Sequence, residues 1–295
     1  LDAFSPGSKK IHVDIDPSSI NKNVKVDLPI IGDCAHVLED MVRLWRSGAM
    51  QADKAALASW WKQIEKWRAR QSLAYRNSNE VIKPQYAISR LYELTKDRDT
   101  YITTEVGQHQ MWAAQFYRFE QPNRWMTSGG LGTMGYGLPA SIGVQLAHPN
   151  SLVIDIAGEA SVLMTMQEMS TAVQHDLPVK IFIINNQYMG MVRQWQELLH
   201  GGRYAHSYTE ALPDFVKLAE AYHAVGIRCE RPGDLDGAIR EMIAVKRPVI
   251  FDCVVDPNEN CFPMIPSGRA HNEMLLGDAG VSVEDAVTEE GKVMV

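Results

Sequence analysis

Residues Val153 to Trp195 read VIDIAGEASVLMTMQEMSTAVQHDLPVKIFIINNQYMGMVRQW, and the punctuation of this stretch decides the fold. An apolar run, Leu152 to Ala157, ends in the turn Gly158-Glu159-Ala160-Ser161. A helical pattern follows, and a second apolar run, Val179 to Ile184, ends in Asn185-Asn186. Short continuous β-branched runs around one amphipathic helix predict a βαβ unit with buried parallel strands. Such a unit brings a carboxylate and two amides to the carboxyl ends of neighbouring strands, where open α/β sheets hold their ligands.

Oxygen donors from one acid and one amide, beside a Gly-containing turn that opens a helix, suit a hard cation carrying a diphosphate. A plainer reading stays open at this point: Glu159 starts a helix and Asn185-Asn186 is a polar turn. Outward from the unit, Ile11 to Asp16 and Leu28 to Ile31 predict strands, and a helix begins at Ala35 with Val37, Leu38, Met41, Val42 and Trp45 as its apolar face. Gln51 to Arg76 predicts a charged linker helix in which Trp60, Trp61, Ile64 and Trp67 pack the helix rather than bind a cofactor. Pro84 to Thr95 predicts a helix with proline in its first turn. Thr100 to Thr104 predicts a strand followed by the loop Glu105 to Gln110. Tyr136 to Ala147, Pro213 to Ala221 and Leu235 to Val245 predict helices, and Ala224 to Arg228 and Val249 to Val254 predict strands. The fold class is therefore α/β, a three-layer parallel sheet with helices on both faces, preceded by the end of a Rossmann-like domain.

Gly130, Gly132 and Gly135 satisfy G-x-G-x-x-G, with Asp155 at a suitable distance beyond. The context fails as a dinucleotide fingerprint, because Asn123-Arg124-Trp125-Met126 reads as a poor buried strand. The alternative is a backbone that approaches a flat ring closely, which glycine allows because it lacks Cβ.

The 295 residues are 45% hydrophobic and 22% charged, an ordinary globular composition. A net charge of −7 argues against a nucleic-acid or anionic-membrane partner, and the apolar runs are too short for a membrane span. The four cysteines, Cys34, Cys229, Cys253 and Cys261, form no CxxC, and a reduced, cytoplasmic setting is expected. The opening lines read as mid-domain sequence, as in a fragment of a longer protein.

Gly158-Glu159-Ala160 through Asn185-Asn186 resembles the thiamine-diphosphate motif, which begins Gly-Asp-Gly or Gly-Asp-Ala and closes on Asn-Asn, and the separation of Glu159 from Asn186 fits that family. The text from Met164 to Tyr208 is similar to the large catalytic subunit of acetolactate synthases. One departure is Glu159 itself, where the family has aspartate. The resemblance implies a cation, Mg2+, on Glu159, Asn186 and the Tyr188 carbonyl, and thiamine diphosphate held by Gln108, His109, Gly132, Met134, Gly158, Glu159, Ala160, Ser161, Asn186, Tyr188, Gly190 and Met191. Met134 props the bent cofactor, the Gly132 carbonyl accepts from its amine, and Met134, Met191 and Trp195 carry the catalytic pocket, with Trp195 beside the second keto acid. Asp14, Ile15, Ser19, Asp33 and Cys34 correspond to contacts with the adenosine half of FAD; a plainer reading is that Asp14 and Asp33 cap turns.

The implied domains are 1–48, the end of the FAD-binding central domain; 49–79, the linker helix; 80–276, the thiamine-diphosphate domain; and 277–295, a tail without strong period. The implied reaction condenses decarboxylated pyruvate with pyruvate or 2-ketobutyrate. The parent is expected to be a homodimer or homotetramer with a possible small regulatory subunit, and the activating glutamate lies on an N-terminal domain absent from these residues. The fragment alone is expected to be inactive. Another thiamine-dependent carboligase or decarboxylase, or a non-catalytic remnant, are the alternatives.

Overall fold

The computed structural model describes residues 4–48, 51–266 and 268–277. All but the first residue of the expected tail lies outside these. Contacts divide the chain into two units, Tyr75–Cys261 and the residues up to Ala74 together with those from Phe262 onward.

In the second of these, β1 (Ile11–Asp14) and β2 (Leu28–Ile31) pair in parallel. β1 stops before the expected Asp16 because Asp16 caps a 3-10 turn, accepting from the Ser18 N–H. Asp33 starts α1 (Cys34–Arg46) by accepting from the N–H groups of Ala35 and His36, and Asp53 starts α2 (Lys54–Arg68) in the same way. Within α2, Trp60 and Trp67 meet edge to face, the helix packing expected of them.

The larger unit runs α3 (Pro84–Thr95), β3 (Thr100–Thr104), α4 (Gln108–Phe116), β4 (Trp125–Thr127), α5 (Gly137–Ala147), β5 (Leu152–Gly158), α6 (Glu159–Val162), α7 (Met169–Gln174), β6 (Lys180–Asn185), α8 (Gly190–Leu199), α9 (Phe215–Ala221), β7 (Val225–Cys229), α10 (Leu235–Ala244) and β8 (Val249–Val254). Its six strands are all parallel, in the order β4-β3-β5-β6-β8-β7. Every residue of β6 is buried, as a strand covered on both faces requires.

Strand alternation sorts the core into two layers. Ile154, Ile156, Phe182, Ile184 and Phe251 face α3, α4 and α10, while Ala157, Ile181, Ile183 and Ile250 face α5, α7 and α9. Phe182 and Phe251 stack with centroids 4.9 Å apart, and each fully buried side chain of this size contributes about 1.5–3 kcal/mol.

Three expectations need correction. The loop after β3 becomes α4 at Gln108. Trp125–Thr127 is a strand after all, a short one at the sheet edge paired with Ile102–Thr104. The helix opened by Glu159 breaks after Val162, because Thr165 leaves the helical path to donate its hydroxyl to the Gly135 carbonyl at 3.0 Å.

Candidate active site

From β3 the chain proceeds to β4 on one side of the sheet, and from the adjacent β5 to β6 on the other. The helices that follow lie on opposite faces, α4 against one core layer and α6 and α7 against the other. A crevice forms at such a topological switch point, beyond the carboxyl ends of the strands. A partly open cavity lies there, walled by Gln108 and His109 from α4, Gly158 to Ser161 at and after the end of β5, Asn186 and Tyr188 after β6, and Gly190 to Val192 of α8.

His109 is buried, and its Nε2 has no protein partner among the described residues. The ring lies between two glycines: a Cβ on Gly107 would come within 2.9 Å of its Cε1, and one on Gly158 within 2.7 Å. Gly107 also has φ +151, a conformation that only glycine adopts readily. Burial lowers the His109 pKa to about 3, so the ring is neutral at physiological pH.

Glu159 is 1% exposed at the start of α6, and its Oε1 also lacks a protein partner among the described residues. Burial raises its pKa to about 8, against the pull of the main-chain amides of Glu159, Tyr188 and Asn186. Those amides place the carboxyl beside the β6 end, next to Asn186. Asn186 Oδ1 accepts from the Tyr188 N–H at 3.2 Å, closing the turn after β6 with Gln187 at φ +61. Among the described residues no three His, Cys, Asp or Glu side chains gather as a metal cluster. A cation at this cavity would therefore rest on one carboxylate, one side-chain amide and main-chain oxygen.

Met134 and Met191 line the cavity; Gly132 and Trp195 do not. Gly132 sits in an exposed turn at φ +75, its nearest neighbour beyond the turn being Val106, a cavity residue. Trp195 lines an adjoining recess with Gln196, His200 and Arg203, and Met191 and Val192 belong to both spaces. Gln108 lines the cavity, yet its amide is fully engaged within the protein: Nε2 donates to Gln194 Oε1 and to the Glu259 carbonyl, and Oε1 accepts from Asn186. Its side chain has no N–H left for a phosphate, which leaves the first-turn N–H groups of α4 for that purpose.

Glu105 received no site assignment from the sequence. It is buried at the end of β3 and accepts from the N–H groups of Gly135 and Leu138, tying the glycine turn and the start of α5 to the sheet. Burial raises its pKa. Asp155, buried behind it with Thr103 Oγ1 donating at 3.0 Å, is pushed well above the ordinary carboxylate range by burial and then by the Glu105 charge.

Residues 105–253, which contain every residue named above as walling the cavity, match the family described as thiamine pyrophosphate enzyme, C-terminal TPP binding domain. The chain belongs to the thiamine pyrophosphate enzymes. Residues 1–41 match the central domain of the same enzymes. The chain is similar to acetolactate synthase isozyme 3 large subunit of Escherichia coli (strain K12), 46% identical over 279 residues, covering 94% of this chain and 48% of that relative. The acetolactate synthase large subunit of Haemophilus influenzae is 44% identical over 277 residues, 94% of this chain and 48% of the relative. That of Cyanidium caldarium is 44% identical over 276 residues, 93% and 47%. The chain thus spans about half the length of the curated relatives it matches.

The TPP-binding match and the cavity agree in their chemistry. A buried carboxyl oxygen and a buried imidazole nitrogen, both without a partner among the described residues, are groups that a cation and a phosphate oxygen would satisfy. A bound cation would also reverse the upward pKa shift of Glu159, since an opposite charge favours the ionised acid.

In the part matched to the central domain, Asp14, Ile15, Ser19, Asp33 and Cys34 follow the carboxyl ends of β1 and β2. Asp14 Oδ1 accepts from the Asp16 N–H and Asp33 Oδ1 from Ala35 and His36. Asp14 thus closes a turn and Asp33 caps the start of α1. Cys34 is an exposed free thiol, whereas Cys229, Cys253 and Cys261 are buried and free. Among the described residues no helix is long and apolar enough to cross a membrane.

Proposed function

We propose that the chain is the cofactor-binding half of an acetolactate synthase large subunit, which condenses pyruvate, after decarboxylation, with a second pyruvate or with 2-ketobutyrate in branched-chain amino-acid biosynthesis. The observation that carries this reading is the 46% identity over 94% of the chain to a protein of that name. Support comes from a cavity at the switch point lined by Glu159 and His109, each with a buried polar atom that has no partner among the described residues.

In this reading Glu159, the Asn186 side-chain oxygen and the Tyr188 carbonyl hold Mg2+. His109, the first-turn N–H groups of α4 and the backbone of Gly158, Ala160 and Ser161 meet the diphosphate. When bound, thiamine diphosphate supplies the electron sink for bond cleavage and bond formation. The chain's own residues position it and exclude water: Met134, Gly190 and Met191 wall the cavity, with Gly132 in the turn above it. Met191 and Trp195 border the recess for the second keto acid, selecting it by apolar contact and shape. Asp14, Ile15, Ser19, Asp33 and Cys34 contribute to an FAD site in the whole protein.

The whole protein works in the cytoplasm as a homodimer or homotetramer, with a regulatory small subunit, and the acid that activates the cofactor comes from outside this chain. Acetolactate formation tests the reading. The chain alone, given pyruvate, Mg2+ and thiamine diphosphate, is expected to make none, and the polypeptide that also carries the rest of the large subunit to make it readily. Failure of that longer protein to form acetolactate would contradict the reading.

A further inference from the structure

Behind the cavity, three side-chain amides form a directed chain anchored on backbone. The Cys261 N–H donates to Gln194 Oε1 at 2.8 Å, and Gln194 Nε2 donates to the Cys261 carbonyl at 3.1 Å. Main-chain donors and acceptors cannot exchange roles, so these two bonds fix which end of the Gln194 amide is oxygen. Gln108 Nε2 then donates to that oxygen at 2.8 Å and to the Glu259 carbonyl at 3.2 Å, which turns Gln108 Oε1 the other way. That oxygen accepts from Asn186 Nδ2 at 3.0 Å. The last orientation in the series is thereby set: Asn186 Oδ1 faces the Tyr188 N–H and keeps one lone pair to offer.

The network is sealed from solvent, with Gln194 0%, Gln108 2% and Asn186 4% exposed. Its far end is held by Arg193, which donates to the carbonyls of Asn258 and Glu259 and to Asn260 Oδ1. The Asn186 amide is held from both ends, its Oδ1 by the Tyr188 N–H at 3.2 Å and its Nδ2 by Gln108 Oε1 at 3.0 Å; loss of the second bond leaves one long bond against a turn that would present NH2, and only the oxygen ligates a hard cation.

We propose that Gln194 is a positioning residue that acts through Gln108 to set the Asn186 amide, so that an oxygen rather than an NH2 group is offered to the cation site. The proposal rests on the cation site assigned to Asn186 above. Gln194 lies on α8 beside Trp195 and lines neither the cavity nor the adjoining recess.

The test uses the full chain and two readouts, Mg2+-dependent affinity for thiamine diphosphate and hydrogen exchange of the Asn186 side-chain NH2 measured by NMR without cofactor. Gln194→Met is expected to speed that exchange and to weaken affinity roughly 10- to 100-fold, the usual effect of losing a group that orients a metal ligand. Asn186→Asp supplies the discriminating sign. Alone, it sets a carboxylate against the locked Gln108 Oε1 and weakens binding. Combined with Gln194→Met, where only the longer 3.2 Å bond to the Glu259 carbonyl still opposes a turn of the Gln108 amide, it offers oxygen in both orientations and restores binding. Gln194→Glu keeps the acceptor that Gln108 needs and is expected to bind nearly as the wild type, which guards against a fold defect in Gln194→Met. Unchanged exchange and affinity in Gln194→Met, or a loss that Asn186→Asp leaves unrescued, would overturn the proposal. If the wild type shows no Mg2+-dependent binding, the cation site falls. The orienting role then stands or falls on the exchange rates alone.

Discussion

Gly190 lies so close to Gln108 that a Cβ built on it would stand 2.0 Å from Gln108 Oε1 and 2.7 Å from Asn186 Nδ2. The first turn of α8 thus leaves a gap the width of a methyl group for the amide pair behind the cavity. Gly190→Ala is expected to break the Gln108–Asn186 bond and lower stability by about 1–3 kcal/mol, the range for leaving a buried polar group unsatisfied. Adding Gln108→Ala removes the clash, so the double variant should be destabilised by less than the sum of the singles. Urea unfolding of the three variants measures this; additive effects would contradict the contact.

His109 gives the cofactor-free chain an acid sensitivity. Its folded pKa of about 3 lies below the ordinary histidine value of 6.5, so the stability it contributes is present above about pH 6.5 and is lost as pH falls toward 3. At pH 5 the loss is about 2 kcal/mol by linkage. His109→Gln should flatten the unfolding free energy between pH 7 and about 4. An unchanged pH profile would show that the imidazole is not held neutral.

The aromatic stack between β6 and β8 is a test of the core. Phe251 is fully buried against Phe182, and Phe251→Ala should cost about 3–5 kcal/mol. A loss under about 1 kcal/mol, the scale of a tolerated hydrophobic swap, would place this side chain outside a packed interior.

Much of the sheet is legible in the sequence because its strands are buried on both faces. Ile181–Ile184 is a continuous apolar run, and Val249–Val254 is apolar but for Asp252. α4 is not legible for the opposite reason. Its buried face carries Gln108 and His109 along with Trp112 and Ala113, so a site wall reads as a polar loop. β4 escapes because an edge strand of three half-buried residues has little apolar pattern to show. The Glu159–Asn186 pairing is visible because one βαβ crossover joins the two. The link from Asn186 through Gln108 to Gln194 and Cys261 spans distant parts of the chain, and no local spacing announces it. Glu105 is hidden likewise, since its partners Gly135 and Leu138 come from another loop.

The extra methylene of Glu159 bears on cation affinity. Mg2+ demands near-octahedral geometry at about 2.0–2.1 Å, and a shorter acid at this position should meet it with less displacement of the surrounding turn. Glu159→Asp is expected to tighten Mg2+-dependent thiamine diphosphate binding, read by fluorescence titration. Weaker or equal binding would show that the glutamate is already well placed.

Calorimetric titration of the chain with thiamine diphosphate, with and without Mg2+, is the most direct test of the assigned cavity. Saturable binding at one site per chain, present only with the cation and abolished in Glu159→Gln, is the predicted result. Binding that is indifferent to Mg2+, or that survives Glu159→Gln unchanged, would contradict it.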